Sequence, residues 1–69
     1  MFSKIKAIRM QQGMTQKQIA ERMGCHPATY AQVEQGRRVA SARLQAAITE
    51  ALGEKWADEK LFDDRGLVL

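Results

Sequence analysis

The chain has 69 residues with a formal net charge of +3, and it holds a single Cys and a single His. At that length, against roughly 100–150 residues for a common domain, it makes one small domain, with too few Cys and His for an internal disulfide or a four-ligand zinc site. No apolar run, Leu67-Val68-Leu69 included, approaches the about 20 residues of a membrane span, and Lys4, Lys6 and Arg9 interrupt the start unlike a signal peptide, so the cytoplasm is the expected location.

In chain order, the punctuation spells helices. Ser3 can cap a first helix running to about Gln12, with Gly13 just past its end and Phe2, Ile5 and Ile8 as its apolar stripe. Thr15-Gln16-Lys17-Gln18 reads as a capping box that opens a second helix. That helix runs to about Met23, with Gly24 as a left-handed stop. His26 caps a third helix, Pro27 sits at its first position, where the missing N–H costs nothing, and Gly36 follows its end near Gln35. Arg37 to Ala40 is a loop. Ser41 caps a fourth helix with the stripe Leu44, Ile48, Ala51 and Leu52, closed by Gly53. A short fifth helix is expected around Lys55 to Phe62, with Trp56, Leu61 and Phe62 covering the bottom of the core. Met10, Met14 and Met23 read as core or gap filler, and Cys25 as a small buried hydrophobe rather than a nucleophile. The expectation is an all-α domain of four to five helices over residues 1–62, followed by a tail over 63–69.

Residues 16–35 hold two short helices joined by about three residues, which is the spacing of a helix-turn-helix. Steep crossing over a tight turn leaves room only for a small side chain at Ala20. The turn needs the positive φ that Gly24 tolerates. Thr15-Gln16-x-x-Ile19-Ala20-x-x-Met23-Gly24, then Tyr30-x-x-Val33-Glu34-x-Gly36-Arg37-Arg38, then Ser41 to Gly53, resembles the phage Cro/repressor (XRE-like) helix-turn-helix family. The resemblance covers about residues 3–53 and implies a lambda-repressor-like fold, operator DNA as the ligand, and a dimer. It further implies that Arg9, on the buried stripe of the first helix, forms a partly buried ion pair with Glu34.

At about 100° per residue, the core-facing side of the third helix centres between Tyr30 and Val33. The far side presents Ala28, Ala31, Gln32 and Gln35, with Thr29 on one flank and Pro27 and Glu34 on the other. Alanines and amides suit a major groove, where a carboxylate would meet phosphates. Gln32 can pair in bidentate fashion with adenine, and Ala28 or Ala31 can touch a thymine methyl. The resemblance assigns base contacts to His26, Pro27, Ala28 and Gln32. Phosphate contacts are expected from Gln16 at the start of the second helix, from Thr29 and Gln35, and from Arg37, Arg38 and Arg43.

Charge agrees with a polyanionic partner. Residues 1–52 carry eight Lys and Arg against three Asp and Glu, whereas residues 53–69 carry three against five. The expected role is that of a Cro-like repressor acting by occupancy, a homodimer on an inverted-repeat operator, with no catalytic site, metal or cofactor. The alternatives are an antitoxin, which binds a toxin partner as well as DNA, and a restriction–modification controller protein. The apolar tail either folds back onto its own domain or pairs with a second chain as an added strand, a candidate dimer contact, and removing residues 66–69 is expected to spare the fold and lower dimer affinity.

Overall fold

Each helix begins where a side chain satisfies an amide that the helix itself cannot. In the computed structural model, which describes residues 3–69, Ser3 Oγ accepts from Lys6 N–H at 3.2 Å to open α1 (Lys4–Gln11). Thr15 Oγ1 accepts from Gln18 N–H at 3.1 Å while Gln18 Oε1 accepts from Thr15 N–H at 2.8 Å, a reciprocal box at the head of α2 (Gln16–Met23). His26 Nδ1 accepts from Ala28 N–H at 3.1 Å at the head of α3 (Pro27–Glu34). Ser41 Oγ accepts from Leu44 N–H at 3.2 Å at the head of α4 (Ala42–Leu52). Caps of this kind contribute about 1 kcal/mol each. The Phe2 position of the apolar stripe lies outside the described residues.

The stops are equally local. After α1, α2 and α3 the same pair of bonds recurs: Met14 N–H to the Arg9 carbonyl with Gly13 N–H to Met10, Cys25 to Ala20 with Gly24 to Glu21, and Arg37 to Gln32 with Gly36 to Val33. This is the Schellman arrangement, which spends otherwise orphaned carbonyls and turns the chain sharply. Its demand for positive φ is met at Gly24 by a φ of 70°, so only three residues separate the end of α2 from the start of α3. The last turn of α4 is closed from outside instead. Gln12 Nε2 donates to the Leu52 carbonyl at 2.7 Å, and Arg22 Nη1 to the Ala51 carbonyl at 3.2 Å.

One core joins all four helices: Ile5 and Ile8 from α1, Ile19 and Ala20 from α2, Tyr30 and Val33 from α3, and Ile48, Ala51 and Leu52 from α4. Ala20 is fully buried, as steep packing of α2 on α3 requires. Met14, Met23, Cys25 and Leu44 are only partly buried at its edge. Met10 departs from its core assignment and is 51% exposed, because Ile5, Ile8 and Arg9 already occupy the inward stripe of α1.

The segment after Gly53 differs most from expectation. A single 3₁₀ turn, Glu54–Trp56, stands where a fifth helix was anticipated over 55–62. Leu61 and Phe62 are buried, but in extended chain, because other backbone groups supply the partners that a helix would have used. Leu69 N–H donates to the Leu61 carbonyl at 3.0 Å, Asp63 N–H to Leu67 at 2.8 Å, and Phe62 and Val68 form one antiparallel bridge. Residues 61–69 are thus a small hairpin laid back on the protein. The Leu69 carbonyl accepts the Lys4 amide at 2.6 Å, and the Gly66 carbonyl accepts the Ala40 amide at 2.8 Å.

Removing residues 66–69 therefore strips the Ala40 amide, in a residue 2% exposed, of its acceptor. The truncated chain is expected to lose at least the about 1–3 kcal/mol of an unsatisfied buried amide. Urea unfolding checks this, and a midpoint equal to that of the full chain would show that the hairpin contributes nothing to stability.

Candidate nucleic-acid interface

The site is assembled around α3, and α3 is fixed by a buried charge. Glu34, 4% exposed at the last position of that helix, receives the Arg9 guanidinium in a two-pronged bond, Nε to Oε2 at 2.8 Å and Nη2 to Oε1 at 2.9 Å. Gln16 Nε2, from the first position of α2, donates to the same Oε1 at 3.0 Å. Arg9 Nη1 reaches on to the Met14 carbonyl at 2.7 Å. One carboxylate therefore ties α1, α2 and α3 together. Burial alone would push the Glu34 carboxyl up, but the hydrogen bonds from Arg9 and Gln16 outweigh it and hold the group below the usual range. The bond to Glu34 likewise raises Arg9. The neighbouring Tyr30 phenol, fully buried, is pushed well above its usual range, chiefly by desolvation, with the nearby Glu34 carboxylate adding to it. Tyr30 acts as a neutral core anchor.

With Tyr30, Val33 and Glu34 turned inward, the opposite side of α3 is open. Ala28, Gln32 and Gln35 are exposed, Ala31 on the same side is half-buried rather than open, and Pro27 and Thr29 are half-buried on the flanks. Glu34, expected on a flank, is withdrawn from this face altogether, so no carboxylate of α3 competes with an approaching polyanion. His26 is exposed, but its Nδ1 is occupied in capping α3, leaving Nε2 as the ring nitrogen available to a ligand.

Thr29, Arg38 and Arg43 come together with Ser41 along a groove of about 330 Å³, between α3 and the start of α4. In the sequence Ser41 is marked only as a helix cap. Here its helix start faces the same groove, and the amides of Ala42 and Arg43 are first-turn groups that a helix leaves without internal partners. Arg37 and Arg38 are exposed on the loop between the two helices. Gln16 does not line this groove; it is half-buried at the N-terminus of α2, its amide already committed in part to Glu34. The arrangement is an uncharged, groove-sized helix face with cationic and amide donors beside its end. Such a surface offers hydrogen-bond donors and positive charge without a competing carboxylate on α3.

The chain matches the helix-turn-helix family over residues 5–58, well over half its length, and it belongs to that family of Cro- and XRE-like DNA-binding proteins. The all-helical, lambda-repressor-like fold and the position of α2 and α3 within the matched span agree. It is a DNA-binding regulator of transcription, in a family that is generally not enzymatic. No curated protein and no solved structure matches the chain. Among the described residues no helix is long and apolar enough to cross a membrane.

Replacing Glu34 by Gln leaves the Arg9 guanidinium buried without a counter-charge, and the variant is expected to lose about 3–5 kcal/mol at neutral pH. Because the folded carboxyl titrates below the unfolded one, this contribution is complete above the unfolded value of about 4.3 and fades as pH falls through the folded value. The gap between wild type and Glu34→Gln should therefore narrow in acid below about pH 4.3. Chemical unfolding across pH measures it, and equal stability at pH 7 would mean that the pair holds nothing together.

Proposed function

We propose that this protein is a sequence-specific, Cro-like repressor that binds an inverted-repeat operator as a homodimer and blocks transcription by occupying it. The observation that carries this reading is the outward side of α3, where alanines and amides stand free of carboxylates beside Arg37, Arg38 and Arg43. His26, Pro27, Ala28 and Gln32 face the bases, Gln32 pairing with adenine and Ala28 touching a thymine methyl. Gln16, Thr29, Gln35, Arg37, Arg38 and Arg43 hold the phosphates on either side. A protomer measures 27 × 25 × 24 Å. Two in contact can therefore set their α3 helices one DNA turn apart, about 34 Å, without a linker. Such a regulator works in the cytoplasm, where it meets its operator. The exposed Val39 and Leu69, 54% and 42% accessible, favour a second reading, in which an antitoxin-like chain also holds a protein partner. Stoichiometric co-purification of a second polypeptide distinguishes the two.

Selection of bound sites from random duplexes tests the proposal, because operator, symmetry and half-site spacing emerge together; enrichment of no sequence would overturn it. On the selected operator, Gln32→Ala is expected to cost about 1–3 kcal/mol and to relax one base position. Arg37→Ala is expected to weaken all sequences alike and to reduce the slope of log K against log salt by about one. Titrations over a salt series separate these two signatures.

A further inference from the structure

The loop carrying Arg37 and Arg38 hangs between two hydrogen-bonded posts. At one end the Arg37 amide donates to the Gln32 carbonyl at 2.9 Å, which fixes it to α3. At the other end Ala40, nearly buried, is held on both sides. Its N–H donates to the Gly66 carbonyl at 2.8 Å, and its carbonyl accepts from Gln45 Nε2 at 2.9 Å. The second post belongs to the hairpin of residues 61–69, which lies wholly beyond the span matched to the family.

The approach at that post is close. Gly66 is buried with φ +89°, and a side chain there would strike the Ala40 carbonyl and crowd Val39 and Gln45. Only glycine lets the hairpin backbone press directly against the loop. Asp63 sets the hairpin's shape, its Oδ1 accepting from Arg65 N–H at 2.9 Å and from Leu67 N–H at 3.0 Å across the turn that presents Gly66. Leu61 and Phe62 anchor its other arm in the core.

We propose that this hairpin is a positioning element for DNA binding: by taking the Ala40 amide, the Gly66 carbonyl holds Arg37 and Arg38 at a set distance from the recognition helix, ready for the phosphate backbone. The proposal rests on the reading of these arginines as phosphate contacts. A loop pinned at both ends meets phosphates without first being ordered; freeing one end lets Arg37 and Arg38 drift off the phosphates, which costs affinity for every sequence and releases fewer counterions.

Three variants and two measurements test it. Amide exchange in the free protein reports the post itself: the Ala40 amide is protected in wild type and exchanges at least about tenfold faster in Gly66→Ala. Binding to sheared duplex DNA of mixed sequence over a salt series reports the consequence: Gly66→Ala binds about tenfold more weakly, with the salt slope smaller by about one to two. Asp63→Ala, which loosens the turn without adding bulk, weakens binding in the same way although it removes a negative charge and would tighten binding on electrostatic grounds alone. Asp63→Asn keeps the acceptor and binds at least as well as wild type. An unprotected Ala40 amide in wild type overturns the proposal, as does a folded Gly66→Ala or Asp63→Ala whose Ala40 amide is freed while affinity and slope stay unchanged. A wild-type chain that forms no complex with DNA in dilute buffer, its Ala40 amide still protected, removes the arginine reading and the hairpin's role in binding with it.

Discussion

The outward side of α3 depends on one buried carboxylate. Glu34 sits where α1, α2 and α3 meet, and every strong bond it accepts comes from a different helix than its own. Taking such a charge out of water costs several kcal/mol, and a pair of well-packed apolar residues could serve stability as well. What the apolar alternative lacks is direction. The planar guanidinium of Arg9 meets the carboxylate in two parallel bonds and so sets the rotation of α3 about its own axis. That rotation decides which residues of α3 look outward.

Direction matters here because α3 carries little amphipathic instruction of its own. Its outward residues are alanines and amides, and its inward ones are Tyr30, Val33 and the charged Glu34. Hydrophobic burial alone distinguishes the two sides of such a helix poorly, since an alanine face can also be buried. The short turn at Gly24, the closeness allowed by Ala20 and the bond network at Glu34 together remove that ambiguity. The same economy governs the surroundings. The Arg37–Arg38 loop is held by backbone bonds at both ends, so its guanidinium groups stay exposed while the chain beneath them is fixed.

Much of this architecture is written in short-range patterns. Ser3, Thr15, His26 and Ser41 each accept a local amide at a helix start, and Gly13, Gly24 and Gly36 each follow a helix end, because caps and stops involve groups only a few residues apart. The stripes that make the core are legible for the same reason, with Ile5, Ile8, Ile19, Tyr30, Val33, Ile48 and Leu52 all buried. The outward side of α3 follows from about 100° per residue once the inward side is known. Met10 shows where periodicity misleads. It is apolar and near the stripe, yet the inward place is held by Arg9, whose partner lies 25 residues away.

Local physics therefore specifies four helices and their limits, whereas the face that α3 turns to solvent is settled by the pairing of Arg9 with Glu34. The course of residues 57–69 depends on groups distant in sequence: the Lys4 and Ala40 amides, which need acceptors, and the core beneath Leu61 and Phe62, which needs covering. No window of neighbouring residues contains that information, since a backbone carbonyl at Gly66 or Leu69 looks the same whether its partner is four residues away or sixty. The convergence of Thr29, Arg38, Ser41 and Arg43 along one groove is of the same kind, arising only when α3 and α4 pack.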